Sequence, residues 1–177
     1  QRARLNANFR DEYYGLIPAV ADHPSGPPLV TCGLVDPGRS WWGERPITYA
    51  KQRYGQPRVD LTHLDENMRR WAQRRLVPKV LVANQTRIIE AVCDPSGAWL
   101  PAVPVLGVYP NGAHWDDEPG ASSSPDELAA AAWDIAAVLT SPMASAWVWH
   151  RGAGTGLSPD SIRLSPVTLA ALPWPTG

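Results

Sequence analysis

The sequence predicts an α+β fold, a single domain with a mixed, largely antiparallel sheet flanked by helices. Three observations predict it. Apolar runs of strand length cluster between residues 79 and 109, and the clearest helical periodicity lies in the segments before and after them. The chain of 177 residues is also long enough to close one core without disulfides or metals. We expect the central runs to form a meander, with helices at about 62–76 and 125–150.

The first sixty residues predict one helix and several short strands. The segment 5–20 spaces Phe9, Tyr13, Leu16 and Val20 as a helix does, and the prolines that follow end it. Further predicted elements are strands at 29–32, 47–50 and 59–61, a loop at 36–45 and the basic segment 51–53.

The middle of the chain predicts a helix followed by the sheet centre. Leu64, Met68 and Trp71 fall on one stripe of residues 62–76, and Pro78 stops that helix. Predicted strands follow at 79–83, 88–93 and 103–109, with a turn at 94–97.

A capping signal opens the C-terminal helices. Ser124 supplies a hydroxyl cap, Pro125 suits the first helical position, and Glu127 lies three residues after the cap. The polar segment 111–124 before it is the best linker in the chain. A second helix is predicted from 142 to 149.

Several classes of function find no support. The longest uncharged apolar run is shorter than a membrane span, and no leader is recognisable. Cys32 and Cys93 have neither the spacing of a metal pair nor that of a disulfide framework. The histidines are scattered, and the acidic segment 115–118 lacks a calcium-loop pattern. We therefore expect a cytoplasmic protein with reduced thiols and no metal.

The glycine-rich segment 152–156 suggests a nucleotide loop, but its context does not. A dinucleotide-binding loop opens a βαβ unit of about 30 residues, and only 21 residues follow Gly156. We interpret it as a surface loop.

Charge divides the chain into two halves. Residues 1–92 hold 14 Lys and Arg against 9 Asp and Glu, whereas residues 93–177 hold 2 against 8. This asymmetry is typical of a polyanion-binding face, although solubility alone explains it equally well. Arginine and lysine neutralise phosphates, and Asn, Gln and Arg read base edges. The candidate DNA-binding residues are Trp41, Arg45, Lys51, Arg53, Arg74, Arg75, Lys79, Asn84, Gln85, Thr86 and Arg87, with Trp42 and Arg58 nearby in sequence.

A family resemblance gives these residues a context. A basic Pro-Lys strand and polar turn within 77–91 precede a Gly turn at 94–97 and a strand at 104–109. A helix ends in Ser141-Pro142, and the chain closes on Leu172-Pro-Trp-Pro175. Over most of residues 28–175 the chain resembles the C-terminal target-recognition domains of adenine-N6 DNA methyltransferases from restriction-modification and phage-defence systems.

The resemblance implies a division of labour. Residues 28–177 would be the recognition domain for double-stranded DNA, and residues 1–27 would connect it to an upstream methyltransferase domain; the chain opens at Gln1 rather than Met, as a piece of a longer protein does. The family's Asn/Asp-Pro-Pro-Tyr catalytic loop is absent from this sequence. We therefore expect no catalysis here, with S-adenosylmethionine bound by the missing domain.

Two other classes of function stay open. A protein-interaction or structural domain would use exposed Trp and Arg side chains as anchors without binding nucleic acid. A stand-alone enzyme would need a pocket with convergent titratable groups.

Overall fold

The computed structural model describes residues 3–7, 10–22, 25–113 and 123–175 and has the predicted α+β class. The helices are α1 (Arg10–Leu16), α2 (Glu66–Arg75), α3 (Pro125–Leu139), α4 (Pro142–Gly152) and α5 (Pro166–Ala170), with 3-10 turns at Ile17–Ala19, Cys32–Leu34 and Leu61–His63. The strands are β1 (Ala3–Ala7), β2 (Val20–Ala21), β3 (Leu29–Val30), β4 (Val35–Asp36), β5 (Arg39–Ser40), β6 (Ile47–Tyr49), β7 (Gln52–Tyr54), β8 (Arg58–Val59), β9 (Lys79–Val82), β10 (Gln85–Thr86), β11 (Ala91–Asp94), β12 (Leu100–Pro101), β13 (Leu106–Pro110) and β14 (Ile162–Arg163).

The main sheet has the strand order β1-β13-β9-β11, and its neighbours are all antiparallel. The predicted meander is wrong in its order, because β9 lies between β11 and β13. The strand β12 accounts for the difference: it pairs in parallel with β3, Leu100 opposite Leu29. The chain therefore leaves the main sheet after β11, and its next strand in that sheet, β13, pairs with the other edge of β9.

The sheet separates two hydrophobic cores. Alternation along β9 sends Val80 and Val82 to one core and Leu81 to the other, as the two-residue period of a strand requires. The first core combines buried residues from positions 16 to 72 with Leu81, Ala83, Val92, Leu100, Ala102 and Val105. The second is closed by α3, whose Ile135 and Leu139 pack against it. Both faces of β9 are therefore buried.

The N-terminal residues belong to this architecture. The predicted helix over 5–20 is wrong at its start, because residues 3–7 form the edge strand β1 and the helix begins at Arg10. Ala3, Leu5 and Ala7 face the second core with strand periodicity. The predicted connecting segment 1–27 is thus integrated into the domain wherever the structure describes it, since β2 also pairs with β8.

Capping defines the later helices as the sequence predicts. The backbone N–H of Ser124 donates to the Glu127 carboxylate at 2.7 Å, and the N–H of Glu127 donates to the Ser124 hydroxyl at 3.2 Å. Ser141 caps α4 through the N–H of Ala144 at 3.2 Å. Most of the predicted linker 111–124, including the acidic segment 115–118, lies outside the described residues.

The described helices include no single one long and apolar enough to cross a bilayer. Helices α3 and α4 would pass together on length and composition, but they meet at a bend of 59°.

Candidate nucleic-acid interface

A cluster of tryptophan and arginine side chains surrounds the β4–β5 turn. The indole N–H of Trp41 donates to the Asp36 carboxylate, which fixes the ring beside the hairpin. The Arg39 guanidinium carbon lies 3.6 Å from the Trp41 ring centroid, and that of Arg45 lies 4.9 Å from it. Arg39 also forms a 2.7 Å ion pair with Glu44. Trp41 therefore carries two guanidinium groups that are both exposed.

The neighbouring indole extends this cluster. The indole N–H of Trp42 donates to the carbonyl of Pro57 at 2.9 Å, and the Arg58 guanidinium lies 4.6 Å from the Trp42 ring centroid. Arg58 in turn donates to the carbonyl of Gly26 at 2.6 Å. We call the five residues Arg39, Trp41, Trp42, Arg45 and Arg58 the tryptophan–arginine surface.

The turn at 84–87 joins this surface through residues 32 and 33. Arg45 donates from Nη1 to the carbonyl of Gly33 at 2.8 Å. The Cys32 thiol donates to Oδ1 of Asn84 at 3.8 Å. Burial raises the pKa of Cys32 to about 11, so the thiol keeps its proton at neutral pH. The adjacent residues Cys32 and Gly33 thus contact Asn84 and Arg45, which lie about 40 residues apart in the sequence.

Strand β10 pairs with β14, a partner that sequence reasoning missed. Gln85 lies opposite Arg163, and the N–H of Leu164 donates to the carbonyl of Asn84 at 2.7 Å. The N–H of Arg163 donates to the hydroxyl of Thr155 at 3.1 Å, so the glycine-rich segment 152–156 supports this ribbon. Arg163 is exposed beside Gln85.

Arg87 projects from the end of β10 into a groove of about 720 Å3. Ile88 and Trp149 give it apolar walls, and His150 and Asp160 add titratable groups. Ile88 is 50 % exposed and Trp149 is 39 % exposed.

Three predicted contacts are wrong because their side chains are buried. Lys79 is fully buried and forms a 2.5 Å ion pair with Asp94, the residue opposite it on β11. Burial lowers the pKa of Lys79, and the Asp94 carboxylate opposes that shift. Thr86 is buried, and its hydroxyl donates to the carbonyl of Ile88. Neither side chain is available to a duplex.

Arg75 is the third. Its Nη1 donates to the carbonyl of Trp71 at 3.0 Å, and its guanidinium lies 4.1 Å from the Trp71 ring centroid. Burial lowers the pKa of Arg75 to about 10, which leaves it charged at neutral pH. Arg74, its neighbour at the end of α2, is half-buried. Arg75 therefore serves the helix end rather than an open surface, whereas the DNA contact of Arg74 stays a prediction.

Lys51 and Arg53 are exposed on the β6–β7 hairpin, whose other side is fixed by Tyr13. The Tyr49 hydroxyl donates to the carbonyl of Tyr13 at 2.9 Å, and the N–H of Ala50 donates to the Tyr13 hydroxyl at 3.1 Å. Among the described residues, no hydrogen bond or ion pair joins Lys51 or Arg53 to the tryptophan–arginine surface.

Arg39 and Arg163 were missed for different reasons. Arg39 could have been found, because a Pro-Gly turn places it beside Asp36 and two residues before Trp41. The partner of Gln85 lies 78 residues away, and no local signal announces it.

No protein-family model matches the chain, and no curated protein matches it significantly. Among the residues that the structure describes, no three His, Cys, Asp or Glu side chains are grouped as a metal site requires.

Proposed function

We propose that the chain is the DNA-recognition module of an adenine-N6 DNA methyltransferase. In this role it grips duplex DNA and selects the site, while a catalytic domain outside this sequence binds S-adenosylmethionine and transfers the methyl group. An enzyme that modifies one base must take it out of the stack, and a separate element that holds the duplex suits that task.

One observation carries the proposal: the tryptophan–arginine surface and the 84–87 turn meet at Cys32 and Gly33. Two polar, cationic segments with long sequence separation are held against adjacent residues by a 2.8 Å and a 3.8 Å contact. Phosphate gripping and base reading need basic, aromatic and amide side chains that are held close together.

The structure narrows the set of contacts that the proposal uses. The proposal uses six residues whose side chains are exposed or half-buried: Arg39, Trp41, Arg45, Gln85, Arg87 and Arg163. Arginine suits both phosphates and the paired acceptors of guanine, and Gln85 suits adenine. Asn84 accepts the Cys32 proton, so in this proposal it positions the turn.

The salt dependence of binding tests the proposal. A fluorescent duplex is titrated with the chain at several salt concentrations, and log affinity should fall by about 0.9 per decade of salt for every phosphate contact. We expect Arg45→Ala to reduce the magnitude of this slope by about 0.9, the value for one phosphate contact. Arg70→Ala is the matched control. Arg70 is an exposed arginine on α2, and its guanidinium forms a 3.4 Å ion pair with Glu66. A chain without salt-dependent affinity for DNA would refute the proposal.

A protein-docking domain is the second candidate, and exposed apolar side chains favour it. Met143 is 78 % exposed, and Ile88 and Trp149 line the groove beside Arg87. An exposed tryptophan such as Trp149 is a typical anchor for a protein partner. A hydrophobic interface responds weakly to salt, so a partner complex that survives high salt, together with no DNA binding, would favour this alternative.

A further inference from the structure

We propose that a groove between helix α1 and the β10–β14 ribbon binds a small phosphate monoester that carries a flat ring, which is the chemistry of a nucleoside monophosphate. The phosphate contacts Arg10 and Arg163, and the base stacks on Tyr14. The site shares Arg163 with the proposed DNA contacts, but the inference does not rest on the proposed function.

The groove has the size of a small-molecule site. Its volume is about 570 Å3, within the range of about 300–1,000 Å3 that such sites occupy. The end of the main sheet contributes Ala7 and Leu106, which lie opposite each other on β1 and β13. The polar and aromatic lining residues on which the argument depends are Arg10, Tyr13, Tyr14, Asn84 and Arg163. We call this space the Tyr14 groove.

Both arginines of the Tyr14 groove lack an acidic partner. Among the described residues, neither Arg10 nor Arg163 forms an ion pair with an Asp or Glu, and no Asp or Glu lines the groove. Asp11 and Glu12 follow Arg10 on α1 but are not part of the lining. A phosphate monoester carries a charge of about −1.5 to −2 at pH 7, which two guanidinium groups balance.

The turn beside the ribbon adds a neutral donor to this site. The N–H of Leu164 donates to the carbonyl of Asn84 at 2.7 Å, which holds Asn84 beside the strand that carries Arg163. The Oδ1 atom of Asn84 accepts the Cys32 thiol proton, and its Nδ2 donates to no acceptor among the described residues. An amide N–H near a guanidinium is suited to a phosphate oxygen.

Tyr14 provides a ring on which a base can stack. Tyr14 is 54 % exposed, and its ring centroid lies 5.3 Å from that of Tyr13 at an interplanar angle of 85°. Tyr13 is itself held in place, because its hydroxyl accepts the N–H of Ala50 at 3.1 Å. The Arg10 guanidinium carbon lies 5.3 Å from the Tyr14 ring centroid. The cation and the ring assigned to one nucleotide therefore lie side by side.

Calorimetric titration of the full chain with adenosine monophosphate (AMP) tests the site. Adenosine and inorganic phosphate are titrated separately as the two halves of this ligand, and we expect each to bind more weakly than AMP does. Absence of saturable binding below about 1 mM for all four common nucleoside monophosphates would refute the proposal. Equal affinities for AMP and for phosphate would overturn the contact with the ring.

Charge variants test the two arginines. Arg10→Gln and Arg163→Gln should each weaken the binding of AMP by about tenfold, the equivalent of one charge-assisted hydrogen bond. Arg70→Gln removes the same charge from an exposed arginine on α2 and should leave the affinity for AMP unchanged. The thermal midpoint of each variant shows that it is folded. Equal weakening by all three variants would indicate general charge attraction and would contradict a defined site.

Ring variants test the stacking. Tyr14→Ala should weaken the binding of AMP by about fivefold to a hundredfold, the range for one contact between a base and an aromatic side chain. Tyr14→Phe keeps the ring and should bind AMP as the unmodified chain does. An unchanged affinity in Tyr14→Ala would show that the base does not stack there.

The same ligand chemistry has two sources, a free nucleotide and the 5′-phosphate at the end of a DNA strand. Competition for bound AMP by short duplexes with 5′-phosphate or 5′-hydroxyl ends distinguishes them. Displacement only by the phosphorylated duplex assigns the groove to a strand end, and displacement by neither assigns it to a free nucleotide. Equal displacement by both duplexes would indicate backbone contacts and would overturn the monoester site.

One variant separates this inference from the proposed function. Arg45→Ala should reduce the salt dependence of duplex binding and leave the affinity for AMP unchanged. If the duplex binds as proposed and no nucleoside monophosphate does, the Tyr14 groove inference fails alone. If AMP binds and the duplex does not, the recognition function fails and the groove inference stands.

Discussion

Lys79 and Arg87 stand eight residues apart on one stretch of chain, yet they have opposite surroundings. Lys79 begins the central strand β9, is fully buried, and pairs with Asp94 at 2.5 Å. Arg87 lies past the sheet, on the side of the short ribbon, and is exposed in a groove. A cation on a strand that is buried on both faces stabilises the fold through its ion-pair partner. A cation beyond the end of the strand can contact a ligand.

The strongest test of this contrast removes the buried cation. Lys79→Met should lower the free energy of unfolding by about 3–5 kcal/mol, because it leaves the Asp94 carboxylate buried without its counter-charge. Urea denaturation measures the loss. Arg53→Met, an exposed basic residue on β7, is the control and should change stability by about 0.5 kcal/mol or less. A loss below about 1 kcal/mol would show that Lys79 is not the structural ion that its burial indicates.

The exposed cation should behave in the reverse manner. Arg87→Ala should weaken binding to a selected duplex by about 1–3 kcal/mol, as loss of a base-reading arginine does, and should leave unfolding unchanged. Titration against the selected duplex and a scrambled one checks it. Equal losses on both duplexes would make Arg87 a phosphate contact rather than a reader of sequence.

A third basic residue sharpens the contrast by serving a turn. Ala50 and Lys51 connect β6 and β7 with φ values of 49° and 66°, a left-handed conformation that favours glycine. Lys51→Gly should raise the free energy of unfolding by up to about 1 kcal/mol, since relief of backbone strain outweighs the added freedom of the unfolded chain. Thermal unfolding measures it. A decrease in stability would contradict the assigned turn. A smaller dependence of DNA affinity on salt in this variant would indicate that Lys51 contacts a phosphate.

The last prediction concerns the contact between Cys32 and Asn84, which joins the 84–87 turn to the residue before Gly33. With the pKa of Cys32 raised from 9.0 to about 11, its thiolate fraction at pH 8 is about 100-fold lower than in the unfolded chain. Alkylation of the native protein at pH 8 should therefore be slow and should rise with pH up to about 11. Mass spectrometry of the labelled peptide follows it. Fast native labelling would mean that the thiol does not stay against Asn84 in solution.

Local signals predicted the elements that depend on local contacts. The cap at Ser124 and the proline after it fixed the start of α3, and the apolar stripe of 62–76 predicted α2, observed at Glu66–Arg75. Strands β9, β11 and β13 were predicted near their observed positions because β-rich runs between turn residues are recognisable in one sequence.

Long-range pairings could not be predicted in the same way. Strand order depends on where β12 pairs, and two-residue strands such as β10 and β14 carry no periodicity. The buried ion pair follows from a single strand pairing. Once β9 and β11 are placed side by side in this register, Asp94 lies opposite Lys79. The contact between Cys32 and Asn84, 52 residues apart, had no sequence signal at all.

Strand β9 is clamped by a core on each face, and the chain leaves it at Ala83, one residue before the polar turn begins. The 84–87 turn and the strand β9 that supports it are therefore separate segments of the chain. Under the proposed function, exchange of Gln85 and Arg87 would alter which DNA is preferred while every core contact is retained. Such a layout allows new specificities to evolve on an unchanged scaffold.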